Sequence, residues 1–220
     1  MIGAFITGTD TDVGKTHITC ALAAELAREK RVAAVKPVES GCTEGPGGLV
    51  ASDAEKIAAA AGGWQSADGR CLYRFAAPLA PAVAARLVRR SVDIAECVGF
   101  VKAVAAEADL VLVEGAGGWR VPLTDEETIA DLARRLGLPV LIVGRAGLGT
   151  INHTVLTAEA VARDGCELLG VVLSVRPGDS LSAAMSNADE IARQIRPSIV
   201  SLVRDQGDVA AVARRLLDHF

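Results

Sequence analysis

The segment GTDTDVGKT, residues 8–16, contains residue types that bind phosphate in nucleotide-dependent enzymes. In the usual motif, G-x-x-x-x-G-K-S/T, backbone N–H groups surround the phosphates, the lysine contacts the β and γ phosphates, and the hydroxyl binds Mg²⁺. Lys15 and Thr16 match the last two positions, but Thr9 stands where the first glycine belongs, and two of the next three residues are acids. The segment predicts an unusual triphosphate site with carboxylates beside the phosphates. The alternative is a tight strand–helix turn in which the match arose by chance.

A second candidate group lies in KPVESG, residues 36–41. Lys36 comes at the carboxyl end of a predicted apolar strand, where open α/β sheets bind their ligands. It either faces an anionic ligand or extends outward so that its charge reaches solvent. Ser40 either contacts a ligand or caps a turn before Gly41. The residues alone leave both alternatives open.

Two acids complete the set. Asp53 follows Ser52, a predicted helix cap, and acids favour the first turn of a helix because of its dipole, which indicates a structural role. Glu114 ends the predicted strand DLVLVEG and precedes a glycine-rich loop. A carboxylate at this edge of a sheet, beside a phosphate loop, suits Mg²⁺. The alternative for Glu114 is a cap on the next turn.

The composition limits the classes of function. The chain has 220 residues, and 23 basic against 27 acidic side chains give a net charge of −4. Because the sequence has no basic run, we do not expect nucleic acid as a partner. The longest apolar run, around residues 139–143, is too short to cross a bilayer, and the N-terminus does not resemble a signal peptide. Five scattered cysteines indicate reduced thiols, so we expect a cytoplasmic protein with no membrane partner.

Short apolar segments alternate with amphipathic ones along the whole chain. The predicted strands are GAFITG, RVAAVKP, DLVLVEG, LPVLIVG and LLGVVLS, and the predicted helices span residues 15–28, 127–136, 153–163, 181–195 and 208–219. This alternation predicts an α/β fold of the P-loop NTPase type, with a doubly wound, mainly parallel sheet and helices on both faces. We expect residues 1–220 to form a single domain. The glycine-rich segment 41–52 is predicted to be a loop long enough to cover the site.

Taken together and in this order, the segments TGTDTDVGKT, KPVESG, SDA, VEGAGGW and LGTINH closely resemble the dethiobiotin synthetase family. The resemblance runs from about residue 2 to about residue 175. It implies that 7,8-diaminopelargonate takes up CO₂ as a carbamate, that ATP phosphorylates the carbamate, and that the second amine closes a ureido ring. Such a reaction needs positioning and charge neutralisation more than a protein nucleophile.

The resemblance also implies a role for each matching residue. Lys15 and Lys36 would be catalytic, and Mg²⁺ would lie among Thr16, Asp53 and Glu114. The nucleotide would be bound by Asp12, Val13, Gly14, Lys15, Thr16, His17, Asp53, Glu114, Gly115, Ala116, Gly117, Ser174 and Val175. The substrate would be bound by Thr11, Ser40, Gly149, Thr150, Ile151 and Asn152. The last four resemble an element that reaches the partner subunit's substrate, which implies a homodimer with its substrate site at the interface.

The sequence departs from the family where the nucleotide base is recognised. Many members carry Asn-Asp after the strand written here as GVVLSV, whereas this chain has Ser174 and Val175. Many also carry Gly-Glu-x-Pro later, whereas residues 200–203 contain neither glycine nor proline. We therefore expect weak selectivity for adenine, unless backbone groups near residues 203–205 recognise it.

Two other functions compete with this prediction. An amidoligase acting on a corrinoid acid shares the glycine loop after Glu114 but usually carries a fused glutaminase domain, for which 220 residues leave no room. A nucleotide-switch ATPase that binds a protein or a membrane would carry a lysine at the position of Asp10. ATP turnover that requires diaminopelargonate and bicarbonate, rather than lipid or a protein partner, distinguishes these functions.

Overall fold

The computed structural model describes residues 1–197, 199–203 and 209–219. Strands and helices alternate along the chain. In chain order, strands β1 to β10 are Gly3–Gly8, Val32–Val35, Val38–Ser40, Thr43–Gly45, Gly48–Val50, Tyr73–Phe75, Leu110–Gly118, Val140–Arg145, Leu168–Ser174 and Val200–Val203. Helices α1 to α8 are Lys15–Leu26, Ser52–Ala60, Pro81–Leu87, Ile94–Ala105, Ile129–Leu136, Thr150–Arg163, Leu181–Gln194 and Ala210–His219.

Six of the described strands form the main sheet. They are parallel to their neighbours and lie in the order β10-β9-β8-β1-β7-β2. Because β1 lies between β8 and β7, the loop that follows it emerges near the middle of the carboxyl edge. The segments that follow β2 and β7 start at the same edge, so the topology brings the candidate residues of all three together.

The side chains of β1 show how the two faces of this sheet are covered. Ala4 and Ile6 belong to an apolar cluster that includes Leu22 of α1 and Leu216 of α8. Phe5 points to the other face and belongs to a second cluster that includes Ile94 of α4. Helices therefore lie on both faces, and both faces of the strands are apolar. The predicted doubly wound α/β fold is confirmed.

The segment after β2 differs from the prediction. Pro37 ends β2 as expected, and the chain then leaves the main sheet as β3, which pairs with β6. Residues 41–52 were expected to be a loop over the site, which is wrong. β4 and β5 pair as an antiparallel hairpin, and Gly48, which begins β5 directly after the turn at residues 46–47, has a positive φ of 105°.

Several element boundaries also differ. Helix α2 begins at Ser52 itself, and Ala51 takes the cap position without a side-chain hydrogen bond, so the predicted cap is wrong. The sequence did not predict α3 or α4. The start predicted for the last helix, Asp208, lies outside the described residues. No helix in the described ranges is long and apolar enough to cross a membrane.

Candidate active site

The phosphate loop joins the end of β1 to the start of α1. Gly14, the residue before α1, has a φ of 102°. A β carbon on Gly14 would lie 2.7 Å from Ser174 Oγ, so the position requires glycine both for its backbone conformation and for the close approach of β9. Lys15 is only 6% exposed, and its Nζ donates to the carbonyl of Asp10 at 3.1 Å. The ammonium group therefore lies against the loop that would hold phosphates.

Lys36 lies between two carboxylates that come from different elements. Its Nζ is 2.7 Å from Asp53 Oδ2, in the first turn of α2, and 3.0 Å from Glu114 Oε1, in β7. Lys36 is 7% exposed, so its charge does not extend into solvent, and the first alternative from the sequence is supported. The contact with Asp53 is also a hydrogen bond. Because an ammonium group has three N–H donors, Lys36 can donate to a ligand as well.

Glu114 is completely buried, which is rare for a carboxylate. Its Oε1 accepts a hydrogen bond from Thr16 Oγ1 at 2.8 Å in addition to the contact with Lys36. Its Oε2 has no hydrogen-bond partner within the described ranges. Leaving a buried charged oxygen without a partner is costly, so this oxygen is suited to accept from a ligand or to bind a cation.

The position of Glu114 differs from the prediction in one respect. Strand β7 does not end there but continues to Gly118. The pairing with β1 becomes irregular immediately after Glu114: Ile6 is paired with Glu114, whereas Gly8 is paired with Gly118. In this interval β7 has two more residues than β1, and the Glu114 carboxylate lies beside the phosphate loop, where it contacts Thr16.

Burial and neighbouring charges shift the pKa values of Lys36, Asp53 and Lys15. Burial alone would lower the pKa of Lys36, but the charges of Glu114 and Asp53 outweigh it and raise the pKa. Burial would raise the pKa of Asp53, but the Lys36 ammonium and hydrogen bonds from Lys36 and Thr16 hold the pKa below its usual value. For Lys15, burial lowers the pKa, and the attraction of Glu114 only partly offsets this. Two carboxylates and two amines thus share one site.

These side chains open onto a cavity of about 1060 Å³. Its polar lining includes the lysines, the carboxylates, the phosphate loop and Arg176. Its apolar lining consists of residues 78–81, called here the apolar wall, together with Val121, Ala116 and Gly117. A cavity of this size and mixed character accommodates a nucleotide together with a small substrate.

Comparisons with known proteins identify the family. A protein-family model described as an AAA domain matches residues 3–212. The ATP-dependent dethiobiotin synthetase BioD of Anaeromyxobacter dehalogenans (strain 2CP-C) is 49% identical over 219 residues, which are 98% of this chain and 96% of the relative. The BioD protein of Cellvibrio japonicus (strain Ueda107) is 40% identical over 200 residues, which are 90% of this chain and 87% of the relative. This chain belongs to the dethiobiotin synthetase family.

Solved structures resemble this member of the dethiobiotin synthetase family in fold. The ParA protein of pNOB8, solved bound to nonspecific DNA, has a TM-score of 0.60 at 11% identity, covering 99% of this chain and 97% of that one. A chain of the MinC:MinD cell division protein complex of Aquifex aeolicus has a TM-score of 0.58 at 12% identity, covering 98% and 86%. At such identities the likeness shows the P-loop NTPase-like fold alone.

Most residues that the dethiobiotin synthetase resemblance assigned to ligands line the cavity. These are Thr11, Asp12, Gly14, Lys15, Thr16, His17, Lys36, Ser40, Asp53, Glu114, Ala116 and Gly117. Four others do not line it: Val13, Gly115, Ser174 and Val175. Val13 and Val175 belong to the apolar clusters, while Ser174 lies directly under Gly14.

The remaining assigned segment, residues 149–152, does not line the main cavity, and Thr150 instead lines a small separate cavity together with Thr9, Asp10 and Val13. Gly149 precedes α6 with a φ of 90°, and Thr150 is buried with its hydroxyl 3.3 Å from that of Thr154. Asn152 is exposed to solvent. Within one chain, the structure does not bring this segment to the main cavity.

Sequence reasoning missed three features of this dethiobiotin synthetase site. The first is the apolar wall at residues 78–81, which the proline-rich segment APLAP could have indicated. The second is Arg176, which lines the cavity and donates a hydrogen bond to the backbone carbonyl of Asp12. The third is Glu39, a buried acid next to Ser40 whose carboxylate contacts the start of α2. Nothing in the local sequence distinguishes Glu39 from a surface residue.

The region predicted to recognise the nucleotide base lies partly outside the described residues. Val203, at the end of β10, is buried, whereas Arg204 and Asp205 lie outside the described residues. Ser174 is buried beneath the phosphate loop and directs one short hydroxyl toward Gly14. Among the described residues after β9, Arg176 is the one that lines the cavity.

Proposed function

We propose that this protein is an ATP-dependent dethiobiotin synthetase that forms a ureido ring on 7,8-diaminopelargonate from CO₂. The observation that carries the proposal is the group formed by Lys36, Asp53 and Glu114, which lines the same cavity as the phosphate loop. The near full-length similarity to dethiobiotin synthetases supports the same function.

The reaction has three steps. One amine of the substrate adds to CO₂ and loses a proton, giving a carbamate. A carbamate oxygen then takes the γ-phosphoryl group of ATP, so that ADP leaves and a carbamic–phosphoric anhydride forms. The second amine attacks the carbonyl carbon, the C–O bond to phosphate breaks, and the amine loses its proton as the ring closes. Each step concentrates negative charge on oxygens, so cations held in position stabilise the transition states.

The two lysines supply these cations. Lys15, within the phosphate loop, would donate to the β and γ phosphates. Lys36 stays protonated because Glu114 and Asp53 raise its pKa, and its remaining N–H would donate to the carbamate and to the transferring phosphoryl oxygens. Because both carboxylates already hold Lys36 in place, the ammonium need not reorganise during the reaction.

We further propose that Mg²⁺ binds beside this group. The described residues contain no set of three or more His, Cys, Asp and Glu side chains that would hold a metal by themselves. Thr16, Asp53 and Glu114 instead offer a hydroxyl and two carboxylates, which suits Mg²⁺ completed by phosphate oxygens and water. The unpartnered Oε2 of Glu114 fits such a cation. When bound, Mg²⁺ would neutralise the charge of the triphosphate.

The same cavity suits the diamine. Asp12 and Thr11 line it near the phosphate loop, where a carboxylate attracts an ammonium group. The apolar wall of residues 78–81 would pack against the methylene chain of the substrate, and Ser40 would contact a polar end. This arrangement explains the acids in the loop: they attract a diamine and a cation to a place that also holds an anion.

We propose a homodimer whose substrate site lies at the interface. Residues 149–152 do not line the main cavity of their own chain, and in this proposal they reach the cavity of a second copy. Leu148, immediately before this segment, is 100% exposed, and Leu156 of α6 is 57% exposed. Leu181 and Met185 of the adjacent α7 are also exposed. Burial of these apolar side chains would stabilise the association.

The deciding experiment is product analysis. The protein is incubated with diaminopelargonate, bicarbonate and MgATP, and dethiobiotin is measured by mass spectrometry, with reactions lacking each component as controls. Dethiobiotin formed only in the complete reaction supports the proposal. ATP turnover that is independent of the diamine but stimulated by lipid or a protein would support a switch ATPase instead.

The five cysteines are unpaired, as suits a reducing compartment, and we propose a cytoplasmic location.

A further inference from the structure

Glu39 is a buried acid with a defined set of partners. It is 3% exposed and lies in the middle of β3. Its Oε1 accepts from the backbone N–H of Asp53 at 3.0 Å, and its Oε2 accepts from the backbone N–H of Ala54 at 2.9 Å. Both oxygens therefore bind the first turn of α2, the turn that carries the Asp53 carboxylate.

Helix α2 has no local cap that would do the same. Its cap residue is Ala51, which makes no side-chain hydrogen bond. The first amides of a helix need acceptors, and a negative charge there is favoured by the helix dipole. Glu39 provides both from a strand that precedes the helix by more than ten residues.

The position of Glu39 in the chain links the segment that carries Lys36 to the start of α2, which carries Asp53. Lys36 and Ser40 belong to the same short segment as Glu39, and this segment is fixed by the pairing of Val38 and Ser40 with β6. The carboxylate of Asp53 is bound to Lys36 at 2.7 Å. Glu39 therefore connects the backbone of the Lys36 segment directly to the backbone of Asp53.

We propose that Glu39 is a positioning residue that holds Asp53 in register with Lys36 and Glu114, and that its loss weakens the binding of the metal–nucleotide complex. The inference rests on the proposed function only in its choice of ligand. Residues that orient a ligand-binding carboxylate contribute strongly to metal affinity although they do not touch the metal. A residue that only stabilised α2 would lower the stability of the fold and leave this affinity unchanged.

The test compares Glu39→Ala and Glu39→Gln with Asp93→Ala. Asp93 is a control because it is also an acid that caps a helix: its Oδ1 accepts from the backbone N–H groups of Ala95 and Glu96, at the start of α4, at 2.7 and 3.2 Å. It does not line the main cavity. Thermal unfolding of all variants is measured first, and we expect both alanine variants to be less stable than the parent protein.

The decisive readout is equilibrium binding, which does not depend on turnover. Mn²⁺ binding in the presence of a non-hydrolysable ATP analogue is followed by electron paramagnetic resonance. We expect Glu39→Ala to weaken it about tenfold or more, Glu39→Gln to weaken it less because one acceptor oxygen remains, and Asp93→Ala to leave it unchanged. Hydrogen exchange at the amides of Asp53 and Ala54 should rise in Glu39→Ala. If Glu39→Ala fails to fold, Glu39→Gln provides the same comparison.

A second comparison tests whether Glu39 acts through Asp53. In an Asp53→Asn background, Glu39→Gln should change Mn²⁺–nucleotide binding less than it does in the parent protein, because the carboxylate that it positions is already lost. Unchanged Mn²⁺–nucleotide binding in the folded Glu39 variants would overturn the proposal, as would equal losses with and without Asp53. Failure of the parent protein to form dethiobiotin would refute the proposed function but would leave these binding results interpretable.

Discussion

Lys36 is the residue whose environment says most about the chemistry of this site. A lysine at the end of an apolar strand is neutralised by burial unless opposite charges surround it. Here Asp53 and Glu114 raise its pKa, so the site maintains a buried positive charge at the sheet edge. A buried charge is costly, and perturbed groups of this kind are common at functional sites. In the proposed function, the anionic transition state forms next to this charge.

Removing either lysine should abolish ring closure without unfolding the protein. We expect Lys15→Ala and Lys36→Ala each to reduce kcat by at least a hundredfold, since a lost charge contact to a transition state costs about 3 kcal/mol. Dethiobiotin formation measures the rate, and circular dichroism confirms the fold. Near-normal turnover in folded Lys36→Ala would contradict its catalytic role.

The metal proposal predicts a specific effect of Glu114→Gln. The substitution keeps the size of the side chain but removes its charge, so a bound Mg²⁺ loses one anionic neighbour. We expect the Mg²⁺ concentration for half-maximal activity to rise about tenfold or more. A Mg²⁺ titration at saturating ATP and diaminopelargonate tests this, and an unchanged midpoint would remove Glu114 from the metal site.

The nucleotide base should be recognised weakly. An asparagine both donates to and accepts from adenine, whereas Ser174 offers one short hydroxyl, buried under Gly14, and Val175 offers none. We expect CTP and GTP to be used within about tenfold of ATP, a difference of about 1.4 kcal/mol. Values of kcat/KM for the three nucleotides test this expectation. A thousandfold preference for ATP would show that other groups recognise adenine.

At the scale of elements, the contact between the phosphate loop and β9 restricts which residue can stand at position 14. The glycine at position 14 combines a φ of 102° with a β-carbon position only 2.7 Å from Ser174 Oγ. Any side chain there would force the loop away from β9. The position of the phosphate loop thus depends on β9, although no described residue of that strand lines the cavity.

We therefore expect Gly14→Ala to weaken binding of an ATP analogue by more than tenfold, because both backbone strain and the clash displace the loop. Gly62→Ala is the matched control: Gly62 has a similar φ of 96°, but a β carbon there meets no atom within 4 Å. Calorimetric titration measures the affinity of both variants for the ATP analogue. Equal, small losses of affinity would show that contact with Ser174 is unimportant.

At the scale of the whole molecule, residues 149–152 do not line the main cavity of their own chain. We propose, from the sequence, that residues 1–220 form a single domain, so the segment cannot reach its own cavity by a domain movement. The exposed leucines near this segment then favour association of two copies. In a symmetric dimer, each copy would complete the site of the other.

Charging this surface should therefore produce monomers that bind diaminopelargonate more weakly. We expect Leu148→Asp combined with Leu156→Asp to shift the protein from dimer to monomer in analytical ultracentrifugation and to raise the KM for diaminopelargonate. Leu87→Asp is the control, because Leu87 is also exposed but lies on α3. A fully active monomer would contradict a substrate site at the interface.

A mixing experiment tests the shared site directly. Lys36→Ala and Asn152→Ala affect different parts of the proposed site, so a mixed dimer contains one site with both defects and one with neither. Equal amounts of the two inactive variants should recover about a quarter of the parent activity once subunits exchange. No recovery in proven mixed dimers would show that both residues serve the site of one chain.

The phosphate loop, the α/β fold and most cavity residues were predictable from sequence because they depend on local patterns. Gly14 and Lys15 follow a short motif, and apolar strands alternating with amphipathic helices specify a parallel sheet. The family resemblance added the roles of Lys36, Asp53 and Glu114, and the structure brings these three side chains into contact.

What required the tertiary structure were contacts between segments far apart in sequence. No local rule indicates that Glu39 binds the start of α2, that β9 approaches Gly14, or that Arg176 reaches the carbonyl of Asp12. The hairpin of residues 43–50 was also missed, because short strands joined by glycines resemble a loop in sequence. Side-chain types and periodicity determine which elements form, but burial and hydrogen bonding between elements decide which residues hold the site together.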